Sequence, residues 1–298
     1  MMSFINPAKV FVQSLPYTKA IQKGIELSIL RLDELHPVIS GNKWYKLKLY
    51  LQDAINKKKD IIATFGGAYS NHIVAAAEAC KQSNLQSIGI IRGEESVQLS
   101  HTLQQAKDAG MQLIFVSREA YKNKEALKQL YAKDTIYWVN EGGTGILGAE
   151  GAKEIMRLID EKFTHIICVT GTGTMMAGLI KGSLPHQKII GINALKHATL
   201  QDEMEMMLTN EEKRKQYEII NNYHFGGYAK QTKEQYEYMN ELWQAYQLPT
   251  DIIYTSKMMF GTMDLIEKGI FPEGSKIIAI HSGGLQGNLS LPANILQF

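Results

Sequence analysis

Hydrophobic positions along this chain fall into two alternating patterns. One is a short, nearly continuous apolar run, found at residues 25–32, 60–65, 86–91, 112–116, 135–139, 165–170, 188–192 and 276–281. The other is a longer run with apolar positions at helical spacing, at 44–55, 73–80, 100–109, 119–132, 149–162, 175–181, 234–246 and 258–267. The short runs predict strands covered on both faces, and the amphipathic runs predict the crossover helices that parallel strands require. The expected fold is therefore α/β, built from right-handed βαβ units around mostly parallel twisted sheets. A charged stretch at 201–217 predicts a pair of surface helices. The glycine-dense junction Gly142-Gly143-Thr144-Gly145-Ile146-Leu147-Gly148 interrupts the alternation and predicts a mobile boundary between two domains.

Composition narrows the function. The 298 residues carry 32 Lys+Arg against 30 Asp+Glu, a net charge of +2 that gives no nucleic-acid footprint. Cys80 and Cys168 each stand in an apolar run, which points to buried thiols and not to a disulfide framework. No apolar run is long enough to span a bilayer, and the N-terminal residues do not read as a signal peptide. A cytoplasmic protein without membrane or nucleic-acid partners is expected, and no metal site is read.

Ligands of open α/β sheets bind beyond the carboxyl ends of strands. Four loops fall there: Ser70-Asn71-His72, Gly171-Thr172-Gly173-Thr174, Tyr254-Thr255-Ser256-Lys257 and His281-Ser282-Gly283-Gly284. The second joins a strand to a helix, where backbone N–H groups and Thr hydroxyls can surround a phosphate. A dinucleotide is disfavoured, because Met176 stands where that fingerprint wants glycine and the next strand ends without an acidic ribose partner. A nucleotide P-loop is excluded by the missing Gly-Lys-Ser/Thr. A further candidate is Lys43, in Ser40-Gly41-Asn42-Lys43-Trp44, at the head of a helix that Ser40 or Asn42 is expected to cap. Burial and the positive helix end both lower a lysine pKa, and a neutral amine is what an imine-forming lysine needs. A monophosphate loop together with such a lysine suggests pyridoxal 5′-phosphate.

These segments occur in one order with Glu141-Gly142-Gly143, Tyr254-Thr255-x-Lys257 and Phe271-Pro272-Glu273-Gly274. As a set, over nearly the whole chain, they resemble the 1-aminocyclopropane-1-carboxylate deaminase/D-cysteine desulfhydrase family. The resemblance implies a two-domain enzyme with the tryptophan synthase β-like fold (fold type II). The larger, cofactor-binding domain would comprise 1–46 and 147–298, and the smaller 47–146. It also implies a homodimer acting on a small amino acid.

By the same resemblance, Lys43 carries the cofactor and moves protons at the substrate Cα. Asn71 meets the cofactor's 3′-oxygen, and Ser70 and His72 meet the substrate carboxylate, Ser70 also as a proton relay. Lys46, one helical turn after Lys43, reaches the phosphate held by Gly171, Thr172, Gly173 and Thr174. Tyr254, and Tyr228 in Phe225-Gly226-Gly227-Tyr228-Ala229, stand as tyrosines near the substrate β-carbon. The deaminases usually place a carboxylate against the pyridine nitrogen where this chain has Thr255, with Ser282 as a second hydroxyl. A hydroxyl supports the electron sink less than a carboxylate, so elimination of a good leaving group is expected over cyclopropane opening. The expected reaction is α,β-elimination from D-cysteine to pyruvate, ammonia and sulfide. The alternatives are 1-aminocyclopropane-1-carboxylate deamination and, from another class, a non-catalytic amino-acid- or cofactor-binding protein.

Overall fold

The computed structural model describes residues 4–227 and 232–298, so Tyr228 lies outside the described residues. Along the first half the chain forms β1 (Val12–Leu15), α1 (Thr18–Gln22), β2 (Glu26–Arg31), α2 (Asn42–Asn56), β3 (Ile61–Gly66) and α3 (Asn71–Gln82). It continues through β4 (Gln86–Arg92), α4 (His101–Asp108), β5 (Met111–Val116), α5 (Lys124–Leu130), β6 (Ile136–Trp138) and α6 (Ile146–Lys153). The second half forms β7 (His165–Thr170), α7 (Thr174–Gly182), β8 (Lys188–Asn193), α8 (Leu200–Glu205) and β9 (Tyr217–Ile220). It closes with α9 (Lys233–Tyr246), α10 (Thr255–Glu267) and β10 (Lys276–His281).

Two sheets result. The larger has strand order β1-β2-β10-β7-β8-β9, parallel throughout except for the β1–β2 pair. The smaller has order β5-β4-β3-β6 and is wholly parallel. Strand β10 shows why its sequence is almost all apolar. Ile277 and Ala279 pack in the layer of Met258, Met259 and Ile266 from α10, while Ile278 and Ile280 belong to the layer containing Met176 and Leu179 from α7. Both faces are covered, as a parallel sheet demands.

Helix α2 is held in place by α6. A side chain at Gly151 would put its Cβ 2.0 Å from the Tyr45 carbonyl oxygen, so the two helices meet backbone to backbone. An ion pair between Lys48 and Glu154 fastens the same contact.

Several expectations are corrected. The 201–217 stretch is not a helix pair: α8 is followed by a 3-10 turn at Glu212–Arg214, and Tyr217 opens the edge strand β9. The run 119–132 breaks at Asn123, whose side chain accepts the Ala126 N–H (3.0 Å) and so starts α5 afresh. The run 149–162 divides into α6 and a 3-10 turn at Glu154–Leu158. The glycine junction folds as a 3-10 turn at Glu141–Gly143 and the start of α6, rather than as a bare linker.

Candidate active site

The lysine-bearing helix opens on a backbone cap. Gly41 has φ 64° and ψ −136°, and neither Ser40 nor Asn42 caps the helix with its side chain, contrary to the expected arrangement. Instead the Asn42 N–H donates to the Ser282 carbonyl (3.1 Å) and the Gly41 N–H to the Leu32 carbonyl (3.1 Å). A Cβ at Gly41 would fall 1.9 Å from the Ser282 oxygen. Only glycine fits such a backbone and such an approach. The Ser282 turn is itself anchored through His281, which bonds the Pro249 carbonyl (2.7 Å) and lies 3.1 Å from Asp33, the buried partner of Arg31.

From that start Lys46 reaches the 171–174 turn, and Lys43 bonds Asn42, whose amide lies against Met175 just after it. The half-buried Lys43 amine donates to Asn42 Oδ1 (2.8 Å), and Asn42 Nδ2 lies 3.3 Å from Met175 Sδ. The Lys46 amine donates to Thr172 Oγ1 (3.2 Å), which is 2.9 Å from Thr174 Oγ1. Burial pushes Lys43 down to about 8, an effect that the Asp251 carboxylate opposes. Burial and the neighbouring Lys43 charge push Lys46 well below the ordinary lysine range. Lys46, Thr172 and Thr174 thus form a donor-rich pocket at the head of α7, and an anion there would oppose the downward shift of Lys46.

The opposite wall is the start of α3. Ser70 caps that helix, its Oγ accepting the Ile73 N–H (3.3 Å). The Asn71 amide makes no hydrogen bond among the described residues, and its Oδ1 is buried without a partner. His72 is buried, and burial together with the charges of Lys46 and Lys43 lowers it to about 3. Its tautomer follows from its neighbour. Thr64 spends its one hydroxyl proton on the Val139 carbonyl (2.9 Å), so it must accept from His72 Nε2–H (2.8 Å). His72 Nδ1 is then a bare acceptor, and it too is buried without a partner. The imidazole therefore offers a lone pair and not a donor. The junction glycines complete this wall: a Cβ at Gly143 would lie 3.2 Å from Lys46 Cβ and 3.7 Å from His72 Cε1.

The third side is the start of α10. Tyr254 lies against the glycine turn, its ring 3.4 Å from where a Cβ on Gly171 would stand. The Thr255 hydroxyl donates to Asp251 Oδ1 (2.7 Å) and accepts the Asp251 N–H (2.7 Å). Asp251 also accepts the N–H groups of Ile253 (2.9 Å), Tyr254 (3.0 Å) and Thr255 (2.8 Å). Lys257, the last residue of that motif, is buried and donates to the carbonyls of Ala194, His224 and Gly227. It ties the end of β8 to the segment before Tyr228. Sequence reasoning missed Asp251, and it gave Asn42 a capping role in place of its bond to the Lys43 amine. The signal for Asp251 was an acidic residue directly before Ile252-Ile253, four positions before Thr255.

A family model described as pyridoxal-phosphate dependent enzyme matches residues 15–283. The chain belongs to that family. A protein of Pyrococcus furiosus named putative 1-aminocyclopropane-1-carboxylate deaminase is 29% identical over 98% of this chain and 94% of its own length. An Arabidopsis thaliana protein named bifunctional D-cysteine desulfhydrase/1-aminocyclopropane-1-carboxylate deaminase, mitochondrial, is 29% identical over 90% of this chain and 74% of its own. A solved structure described as an ACC deaminase homologue superposes with TM-score 0.78 at 27% identity, covering 95% of this chain and 91% of that one. The cofactor is pyridoxal 5′-phosphate, and the fold is the expected type II arrangement. Among the described residues no helix is long and apolar enough to cross a membrane.

The residues present fit that cofactor. Lys46, Thr172 and Thr174 supply phosphate donors, Lys43 supplies an amine whose pKa is lowered to about 8, and the unspent amide of Asn71 supplies a partner for a ring substituent. The Lys43 value sets a pH dependence. Only the neutral amine attacks an aldehyde, so capture of added pyridoxal phosphate by the apoprotein should accelerate as pH rises towards about 8 and level off above it. Below that midpoint the rate should change about tenfold per pH unit. Stopped-flow absorbance over a pH series checks this, and a midpoint near the ordinary 10.5 would contradict it.

Proposed function

We propose that this chain is a lyase that removes a β-substituent from a small amino acid by α,β-elimination, with D-cysteine as the preferred substrate. D-Cysteine and water would give pyruvate, ammonia and hydrogen sulfide. The observation that carries this reading is the pair of lysines on α2, one reaching Asn42 beside the glycine turn and the other bonded to Thr172 within it. Bound pyridoxal phosphate supplies the sink for the electron pair released at the substrate Cα.

The protein's own groups would do the rest. Lys43 would take the Cα proton, which its lowered pKa suits at neutral pH. The substrate carboxylate is met by the Ser70 hydroxyl and by the Asn71 and His72 N–H groups, which open α3 and have no acceptor among the described residues. The His72 imidazole, whose Nδ1 is an unpaired acceptor, suits a donor and not the carboxylate. Tyr254, packed beside Gly171, would protonate the departing thiolate. Placing 1–46 with 147–298, and 47–146 apart, accords with the strands: those of the smaller sheet all lie between Ile61 and Trp138.

Thr255 in place of a carboxylate favours a good leaving group such as thiolate. A second reading, cyclopropane opening, is favoured by the Asp251 carboxylate directly behind Thr255. The test is keto-acid release by the pure protein from D-cysteine, L-cysteine and 1-aminocyclopropane-1-carboxylate. We expect kcat/KM for pyruvate from D-cysteine to exceed that for 2-oxobutyrate from the cyclopropane acid by about tenfold or more. Faster 2-oxobutyrate release selects the second reading, and no keto acid from any of the three overturns both.

A further inference from the structure

We propose that Asp251, acting through the Thr255 hydroxyl, keeps a proton on the cofactor's ring nitrogen. The inference rests on the reading above, in which Thr255 faces that nitrogen. Taken alone, a threonine there could either donate to a bare pyridine nitrogen or accept from a protonated one. The hydrogen bonds remove the choice. The hydroxyl has one proton, and it is spent on Asp251 Oδ1 at 2.7 Å. One of its two lone pairs is taken by the Asp251 N–H, also at 2.7 Å. What remains is a single lone pair, which can only accept. A bare ring nitrogen would face it lone pair to lone pair, whereas a protonated one would donate to it.

The carboxylate behind the hydroxyl supplies the charge. Asp251 is buried and accepts four hydrogen bonds, those of Ile253, Tyr254 and Thr255 N–H and of the Thr255 hydroxyl. Bonds to a carboxylate in a buried setting are the strong ones, and the chain of two polarises towards the ring. Asp251 also shares a wall with the cofactor residues. A Cβ at Gly284 would lie 3.0 Å from Asn71 Nδ2 and 3.5 Å from Asp251 Cγ. The missing carboxylate next to Tyr254 is thus replaced by one standing four residues earlier, one hydroxyl further from the ring. Such a sink is weaker than a direct ion pair and stronger than a lone threonine.

Asp251 also caps the start of α10, so its loss alone could act through folding. The readout must therefore be the nitrogen itself. The holoenzyme is reconstituted with pyridoxal phosphate labelled with nitrogen-15 in the ring, and its nitrogen-15 NMR shift is read beside the visible imine band. The expected wild-type shift is that of a protonated pyridine. In Asp251→Asn and in Thr255→Val the signal should move to the unprotonated position while the imine band persists, and Thr255→Ser should keep the proton. Thr255→Val carries the test if Asp251→Asn does not fold, because it removes only the hydroxyl and leaves the Asp251 cap on the three N–H groups. An unprotonated wild-type nitrogen, or a proton retained in Thr255→Val, overturns the inference. Absence of any imine in the wild type would instead sink the functional reading on which it rests.

Discussion

Lys43→Ala should give a colourless, inactive protein with an intact fold. Turnover of every accepted substrate should fall by about 10³-fold or more, since the residue is both the cofactor's attachment and the proton carrier at Cα. Stability should not follow. The amine is bonded only to Asn42 and enters no ion pair among the described residues. Its pKa is lowered from 10.5 to about 8, so at pH 7 the folded chain carries that charge at a cost the unfolded chain does not bear. Removing the amine relieves the cost, and the apoprotein's Tm should stay within roughly 2 °C of the parent or rise. Keto-acid assays and thermal unfolding by circular dichroism check the two halves separately. A variant that lost activity only because it unfolded would not support the assignment.

Gly41→Ala should do the reverse, damaging the fold first and activity through it. The position combines a backbone conformation that L side chains rarely adopt with a Cβ 1.9 Å from the Ser282 oxygen. Backbone strain and overlap together should cost on the order of 3 kcal/mol or more. In a chain of this size that lowers Tm by about 6 °C or more. The same displacement moves the start of α2 away from Ser282, so affinity for pyridoxal phosphate should fall with stability. Thermal unfolding of the apoprotein and a cofactor titration check both, and an unchanged Tm would show that the Ser282 contact does not position Lys43.

Much of the fold is legible in the sequence because its strands are covered on both faces. The runs 165–170 and 276–281 become β7 and β10 at the same residues, since nothing but burial decides them. The two edge strands of the larger sheet are a different matter, unlike β5 and β6 at the edges of the smaller one, which fall at the predicted runs 112–116 and 135–139. Val12–Leu15 and Tyr217–Ile220 each pair on one side only, with polar residues among the apolar ones, and neither shows as an apolar run. The site divides in the same way. Lys43, Asn71 and the 171–174 turn announce themselves by residue type next to a predicted helix start. Asp251 does not, because its role depends on a fold-back of four residues onto Thr255, and an isolated aspartate near a helix reads as a cap. The His72 tautomer is likewise invisible, being fixed by Thr64 and Val139, far along the chain from one another.

The central claim is that one amine, near the start of α2, bonds the cofactor. Borohydride reduction of the cofactor-loaded protein, followed by proteolysis and mass spectrometry, tests it directly. The account predicts a single pyridoxyl-phosphate adduct on the peptide containing Lys43. Label on Lys46 or Lys257 instead, or no label while activity persists, would contradict it.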